Sequence, residues 1–278
     1  MNATPLNLIR MNRFHRYPDV GRCIYCEEPP TGEEHIVPRN LGGMLILPMA
    51  SCTVCGSVTG AIEGHIADGF YKPVRRQFSF PRRKRKQPQS PQSLDLDGEK
   101  TLLEDKDFPG LLVAFNFHPP SILKLGPVAT EHMGAGIDVK ILPEFGNRLN
   151  RVRGSRRADQ VKFVGSNLDT TLFGRFLCKI AHSYAVAELG LGGFRPYLLE
   201  IIKDPNATFI GEFVGGAMML DNPGPDLHEV YLDSFFSNSK YVVVCVRLFS
   251  KYGSPTYWSW WVNTSDPSQL GKMTRNFR

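Results

Sequence analysis

The chain has 278 residues, 42% of them hydrophobic, enough to bury a substantial core, and this excludes a wholly disordered protein. Its first twenty residues hold no apolar run of signal-peptide length and no segment reaches the roughly 20 apolar residues of a membrane span, so a soluble, cytoplasmic protein is expected. A net charge of +6 and a pI near 9.0 favour a polyanionic partner, and the six cysteines of a reducing compartment favour metal over a disulfide framework.

The first module, residues 20–80, holds Cys23 and Cys26 around "IY" and Cys52 and Cys55 around "TV", with 25 residues between the pairs. Two such knuckles can offer four thiolates to one tetrahedral zinc, leaving no position open for water, so the expected Zn2+ is structural. Two disulfides or four buried thiols are the alternatives. Between the pairs lies "EEHIVPRNLGG", residues 33–43, in which Pro38 and Gly42-Gly43 punctuate a hairpin with Ile36 and Val37 as strand residues. After Cys55, "GSVTGAIEGHIADGF" predicts a short helix, giving the order hairpin, zinc knuckle, helix.

No acidic residue occurs between Asp68 and Asp95, while Lys72, Arg75, Arg76, Arg82, Arg83, Lys84, Arg85 and Lys86 crowd together. Such a run is either a solvated linker or a strip that tracks phosphates, and its place beside the cysteine module favours nucleic acid. Residues 81–106, rich in Pro, Gln, Ser and charge, read as a linker.

Residues 107–278 predict a separate α+β domain with a mainly antiparallel sheet and two helices. "GLLVAFNF" (110–117), "GIDVKIL" (136–142) and "DQVKFV" (159–164) read as strands. The stretch 167–190 carries Leu172, Phe176, Ile180 and Tyr184 every four residues, with Asp169 or Thr170 as N-cap and Gly190 as the stop. A second helix is expected from Arg195 to Lys203, then strands at "TFIGEFV", "LHEVYLD", "YVVVCVRLF" and "TYWSWWV". Cys178 and Cys245 read as buried small hydrophobes, and His182, four after Cys178, as a core or helix-surface histidine. Tyr257, Trp258, Trp260 and Trp261 suit core or subunit contact better than base stacking.

The succession C-IY-C, EHIVPRNLGG, SC-TV-C and a helix bearing Glu63 resembles the zinc-bearing branch of the HNH endonuclease family over residues 20–75, about a quarter of the chain. Parts of the C-terminal region also resemble the tails of bacterial HNH proteins of unassigned role. The resemblance implies a ββα-metal fold that cleaves phosphodiesters, with His35 as general base and Glu34 as ligand of one Mg2+ or Mn2+. Both roles suit the chemistry: imidazole takes a proton near neutral pH, and a carboxylate oxygen suits a hard cation.

In the places where the family carries an Asn or His, this sequence has Met44 and Gly56. Thr59 and Glu63, four apart on the expected helix, share a face and are the substitutes for completing the divalent-ion site. His65 faces elsewhere. Ser51 or Ser57 is available to orient His35, and Arg39 either pairs with Glu33 or meets a phosphate.

The expected function is therefore a metal-dependent endonuclease acting on DNA, with RNA also open. The alternative is a catalytically degenerate HNH-fold zinc protein that binds nucleic acid or a protein without cutting. A third reading is an adaptor whose C-terminal domain binds a protein partner or a second copy of itself.

Overall fold

The computed structural model describes residues 14–81, 91–123, 134–163, 169–207, 209–216, 222–233 and 241–263. A first sheet holds β1 (His15–Arg16), β2 (Gly32–His35) and β3 (Leu45–Ser51) in the order β1-β3-β2, with β1 parallel and β2 antiparallel to β3. Pro38 opens a 3-10 turn over Arg39–Leu41, and two glycines close it. Gly42 has φ +89°, and a Cβ on Gly43 would lie 1.8 Å from the Val37 carbonyl oxygen, so neither position tolerates a side chain without strain. Helix α1 (Thr53–His65) follows directly, continues through a π turn at Ile66–Phe70 and reaches α2 (Lys72–Gln77). The expected succession of hairpin, second cysteine pair and helix is present.

The stretch expected as a linker is partly folded. β4 (Gln92–Leu96) and β5 (Glu99–Leu103) form a tight hairpin across Asp97 and Gly98, whose φ values of 53° and 89° are those of a primed turn. The Asp-Gly pair between alternating leucines was the signal for it. Leu94 and Leu96 turn inward against Phe108, Leu111, Val152 and Ala158 in a second, small hydrophobic cluster.

β6 (Leu111–Phe117) pairs with β7 (Gly134–Ile141) as an antiparallel ribbon, and α3 (Gly146–Arg156) leads to β8 (Val161–Phe163), which completes the order β5-β4-β8. The long helix α4 (Thr170–Leu189) is N-capped by Asp169, whose carboxylate accepts the Leu172 N–H at 2.9 Å, and ends at Gly190. Beyond it, β9 (Phe194–Arg195), α5 (Leu199–Lys203), α6 (Ile210–Phe213), β10 (Val214–Gly216), β11 (His228–Leu232), β12 (Tyr241–Leu248) and β13 (Tyr257–Asn263) build the largest sheet. Its path is β10-β13-β12-β11, with β9 also on β13 and every pairing antiparallel.

Two expectations in this region are corrected. The helix expected from Arg195 begins only at Leu199, because Arg195 is held extended opposite Val262. "TFIGEFV" is mostly the short helix α6, and strand begins only at Val214. Four helical residues are too few for a 3.6-residue period to register.

Every residue of α4 from Phe173 to Val186 is buried. One hydrophobic cluster runs from Tyr17, Ile36, Leu47 and Val74 through Phe115 and α4 to Val244 and Tyr257, so the core does not divide at 81–106. Among the described residues no helix is long and apolar enough to cross a membrane.

Candidate functional site

Cys23, Cys26, Cys52 and Cys55 bring their sulfurs within 4.8 Å of one another, and all are free thiols. The Cys26 and Cys52 sulfurs are 3.6 Å apart, close to the edge of about 3.8 Å expected for a tetrahedron with zinc–sulfur bonds near 2.3 Å. The four cysteines are compatible with a zinc site. Cys52 is the N-cap of α1, and the Cys55 N–H pointing at its sulfur draws its thiol down to about 7, favouring the thiolate that a metal takes. Among the described residues this is the one cluster of three or more His, Cys, Asp or Glu groups able to hold a metal.

The second feature joins parts of the chain far apart in sequence. Glu34 on β2 and Glu63 on α1 both point at the ammonium of Lys179 on α4, Glu63 at 2.7 Å. The same nitrogen donates to the His35 carbonyl and to the Ile36 carbonyl at 3.3 Å. Lys179 is completely buried and Glu34 nearly so, with Glu63 at the rim. Burial would push the Lys179 ammonium down, but Glu34 and Glu63 outweigh it and hold it above its ordinary value, charged. Burial pushes the Glu34 carboxyl up, an effect that Lys179 offsets only in part. The buried Tyr25 hydroxyl lies beside Glu34 and meets Ser183 Oγ at 3.3 Å.

These oxygens do not fit a divalent ion in this arrangement. The point where the two carboxylates converge is filled by an ammonium, and a second cation there would meet its charge at contact distance. Thr59, the third expected ligand, is buried and spends its hydroxyl proton on the Cys55 carbonyl at 3.2 Å. Spacing did bring Glu34 and Glu63 to one place. What it missed was Lys179, for which its position on a periodic helix was the only signal.

His35 follows Glu34 on the strand and so turns to the opposite side of the hairpin. Its side chain is 19% exposed, with Nε2 3.9 Å from Glu33 Oε1. Burial lowers its pKa, Glu33 raises it and Lys179 lowers it; the net is downward, leaving a neutral imidazole at neutral pH. Glu33 pairs with Arg16 at 2.9 Å rather than with Arg39. Ser51 donates to the Cys52 carbonyl, Ser57 is exposed on α1, and His65 bonds the Ala61 carbonyl away from the site. Met44 is exposed, while Gly56 lies in the first turn of α1 beside Ser51.

The basic strip is split by the structure. Arg75 and Arg76 on α2 are buried and consumed internally, Arg75 by Asp68 and the Ala67 carbonyl and Arg76 by Asp105 at 2.6 Å. They are not open to a phosphate. Lys72 is half-buried at the start of the same helix, and Arg82, Arg83, Lys84, Arg85 and Lys86 lie outside the described residues. Tyr257 and Cys245 are buried, as are Cys178 and His182, and Tyr257 donates to the Phe115 carbonyl at 2.9 Å. Trp258 packs on the small cluster around Val243 and Cys245, and the side chains of Trp260 and Trp261 lie outside the described residues.

The remaining polar groups of α4 are ties. Arg175 donates to the Ile201 and Ile202 carbonyls of α5, and His182 donates to the Ile24 carbonyl inside the first cysteine pair at 2.7 Å. His228 on β11 donates to the Leu41 carbonyl at 2.8 Å and accepts the Phe249 N–H, locking the turn that follows His35 onto the large sheet. Comparison with protein-family models, with curated proteins and with solved structures finds no match.

Proposed function

We propose that this chain is an HNH-like protein, stapled by one structural zinc on Cys23, Cys26, Cys52 and Cys55, that binds nucleic acid without metal-dependent cleavage. The observation that carries this reading is Lys179: the two carboxylates that would hold a catalytic ion already share a buried ammonium. The net charge of +6 and the sequence resemblance over residues 20–75 support nucleic acid as the partner. Zinc on four thiolates would be closed to water, and its role is to fix the hairpin and α1 relative to each other.

One observation favours a second reading, cleavage with His35 as base. Its imidazole is neutral, partly open to solvent and placed at the edge of the hairpin. The test is supercoiled plasmid and single-stranded DNA incubated with zinc-loaded protein in Mg2+, Mn2+ or EDTA, alongside filter retention of the same DNA. Retention with no cutting in any condition is expected. Cutting that needs the divalent ion and disappears in His35→Ala would overturn the binding reading in favour of the nuclease.

A further inference from the structure

The segment 146–157, "GNRLNRVRGSRR", carries five arginines and no acid, and the sequence from Phe145 to Ala158 is free of acid throughout. Most of it forms α3, which is anchored by little: Val152 enters the second hydrophobic cluster, and Arg148 lies 4.6 Å over the Phe145 ring and donates to the Asp105 carbonyl at 3.0 Å. Arg148 is thus a structural residue. Arg151, Arg153, Arg156 and Arg157 are exposed, and none of them forms an ion pair among the described residues. Arg153 does donate to the Asp159 carbonyl at 3.3 Å.

A solvated helix face ordinarily mixes signs, because like charges three or four apart repel and opposite ones attract. Here Arg148–Arg151 and Arg153–Arg156 are both like pairs, and Arg157 caps the helix directly after them. The helix dipole compensates the charges in the last turn but not Arg151. Two of the neighbouring acids are engaged elsewhere: Asp97 accepts the Asp159 and Gln160 N–H groups, and Glu144 accepts from the Tyr252 hydroxyl. The local rule is broken with no ion pair to these arginines among the described residues, as expected of a surface that meets a partner.

The described flanks of the other cationic run meet in this neighbourhood. Gln77, before residues 82–90, donates to the Asp105 carbonyl at 3.1 Å, and Gln92, after them, donates to the Asp105 carboxylate at 3.1 Å. Asp105 is the residue that also receives Arg148. Both flanks of that run are therefore pinned beside α3.

We infer that α3 and its C-terminal cap, with the exposed Arg151, Arg153, Arg156 and Arg157, hold the phosphate backbone of a nucleic acid. This rests on the nucleic-acid reading above and names the surface that reading left open. Guanidinium groups on a helix about 16 Å long suit several successive phosphates, and such contacts position the protein without reading sequence.

The experiment measures binding of a labelled mixed-sequence duplex by zinc-loaded full-length protein across a salt series. The quadruple variant R151Q/R153Q/R156Q/R157Q is compared with a charge-matched control, R16Q/R22Q/R195Q/K203Q, built from exposed residues elsewhere. Equal thermal midpoints check that both variants fold. For the α3 variant, the slope of log affinity against log salt should flatten by about 0.9 for each phosphate of duplex DNA that is no longer neutralised, and the control should keep the wild-type slope. Wild-type binding with an unchanged α3 variant, or equal flattening in the control, overturns the α3 surface while leaving the nucleic-acid reading intact. A wild type that ignores DNA and RNA, or that binds phosphatidylserine vesicles instead, removes both.

Discussion

Replacing Lys179 with methionine keeps most of the side chain's volume and removes its charge, leaving Glu34 buried with Glu63 at its rim and no counter-ion. At an effective dielectric near 20, the Lys179–Glu63 contact at 2.7 Å alone is worth about 6 kcal/mol of Coulomb attraction before desolvation is charged against it. Desolvating the ions takes back much of this, so the net loss expected from breaking a buried pair is about 3–5 kcal/mol. At roughly 2–4 °C per kcal/mol for chains of this size, the midpoint should fall by about 6–20 °C near pH 8. The pH dependence separates this cause from a packing defect. Glu34 already has a folded pKa raised by burial, and losing Lys179 raises it further. A raised carboxyl pKa means that the folded state binds more protons than the unfolded one, so the variant loses stability as pH rises past the ordinary carboxylate value. The gap between variant and wild type should therefore narrow from pH 8 to pH 5, and Glu34→Gln added to Lys179→Met should recover part of the loss. Denaturant unfolding at several pH values measures both. A Lys179→Met protein as stable as wild type at pH 8, or a deficit independent of pH, would refute the placement of that ammonium between the two carboxylates.

Three other outcomes are expected. Removing metal with a chelator, or introducing Cys52→Ser, should lower one cooperative melting transition of the whole chain, because the first cysteine pair is tied to α4 through Ile24 and Tyr25; two independent calorimetric transitions would contradict the shared core. His182 and His228 are buried with pKa values lowered by burial to about 4, so the stability they confer is complete above the unfolded value near 6.5 and lost as pH falls toward 4, by up to about 3 kcal/mol each. Replacing His228 with glutamine should shrink the acid-induced loss seen in a pH series of unfolding curves. Gly43→Ala should cost about 1–3 kcal/mol by forcing the turn away from Val37, whereas Gly60→Ala, with open space around it on α1, should leave the midpoint unchanged or raise it.

The elements that sequence disclosed are those whose information is local. The cysteine pairs, the Pro38 and Gly42-Gly43 turn, the Asp169 N-cap, the alternating strand β11 and the apolar runs of β6 and β12 each state their geometry within a few residues. The hairpin over 92–103 was equally local, and its Asp97-Gly98 signal was submerged in a composition that resembled a linker. The fates of Arg75 and Arg76 were not local. Asp68 lies one helical turn and a π turn away, and Asp105 sits on a loop beyond the whole basic run. Charge density along a sequence cannot distinguish arginines spent on internal carboxylates from arginines left for phosphate, and α3 carries the exposed ones.

The same ambiguity applies to α4, whose polar residues lie inside the shared core. Arg175, Lys179, His182 and Ser183 fall at intervals of four, three and one, so they form a polar stripe alongside Phe176, Ile180 and Tyr184, the pattern of a helix with one wet face. A polar stripe has a second solution, burial against groups that satisfy each of its donors. Here α5 carbonyls take Arg175, the Ile24 carbonyl takes His182, the Lys179 carbonyl takes Ser183, and the carboxylates of β2 and α1 take Lys179. Most of these partners come from other segments, so they are not visible in the helix's own period. The buried ammonium and the docking of α4 against the cysteine module are one arrangement: the helix approaches this closely because Glu34 and Glu63 compensate Lys179, and the carboxylates remain buried because the helix delivers the charge.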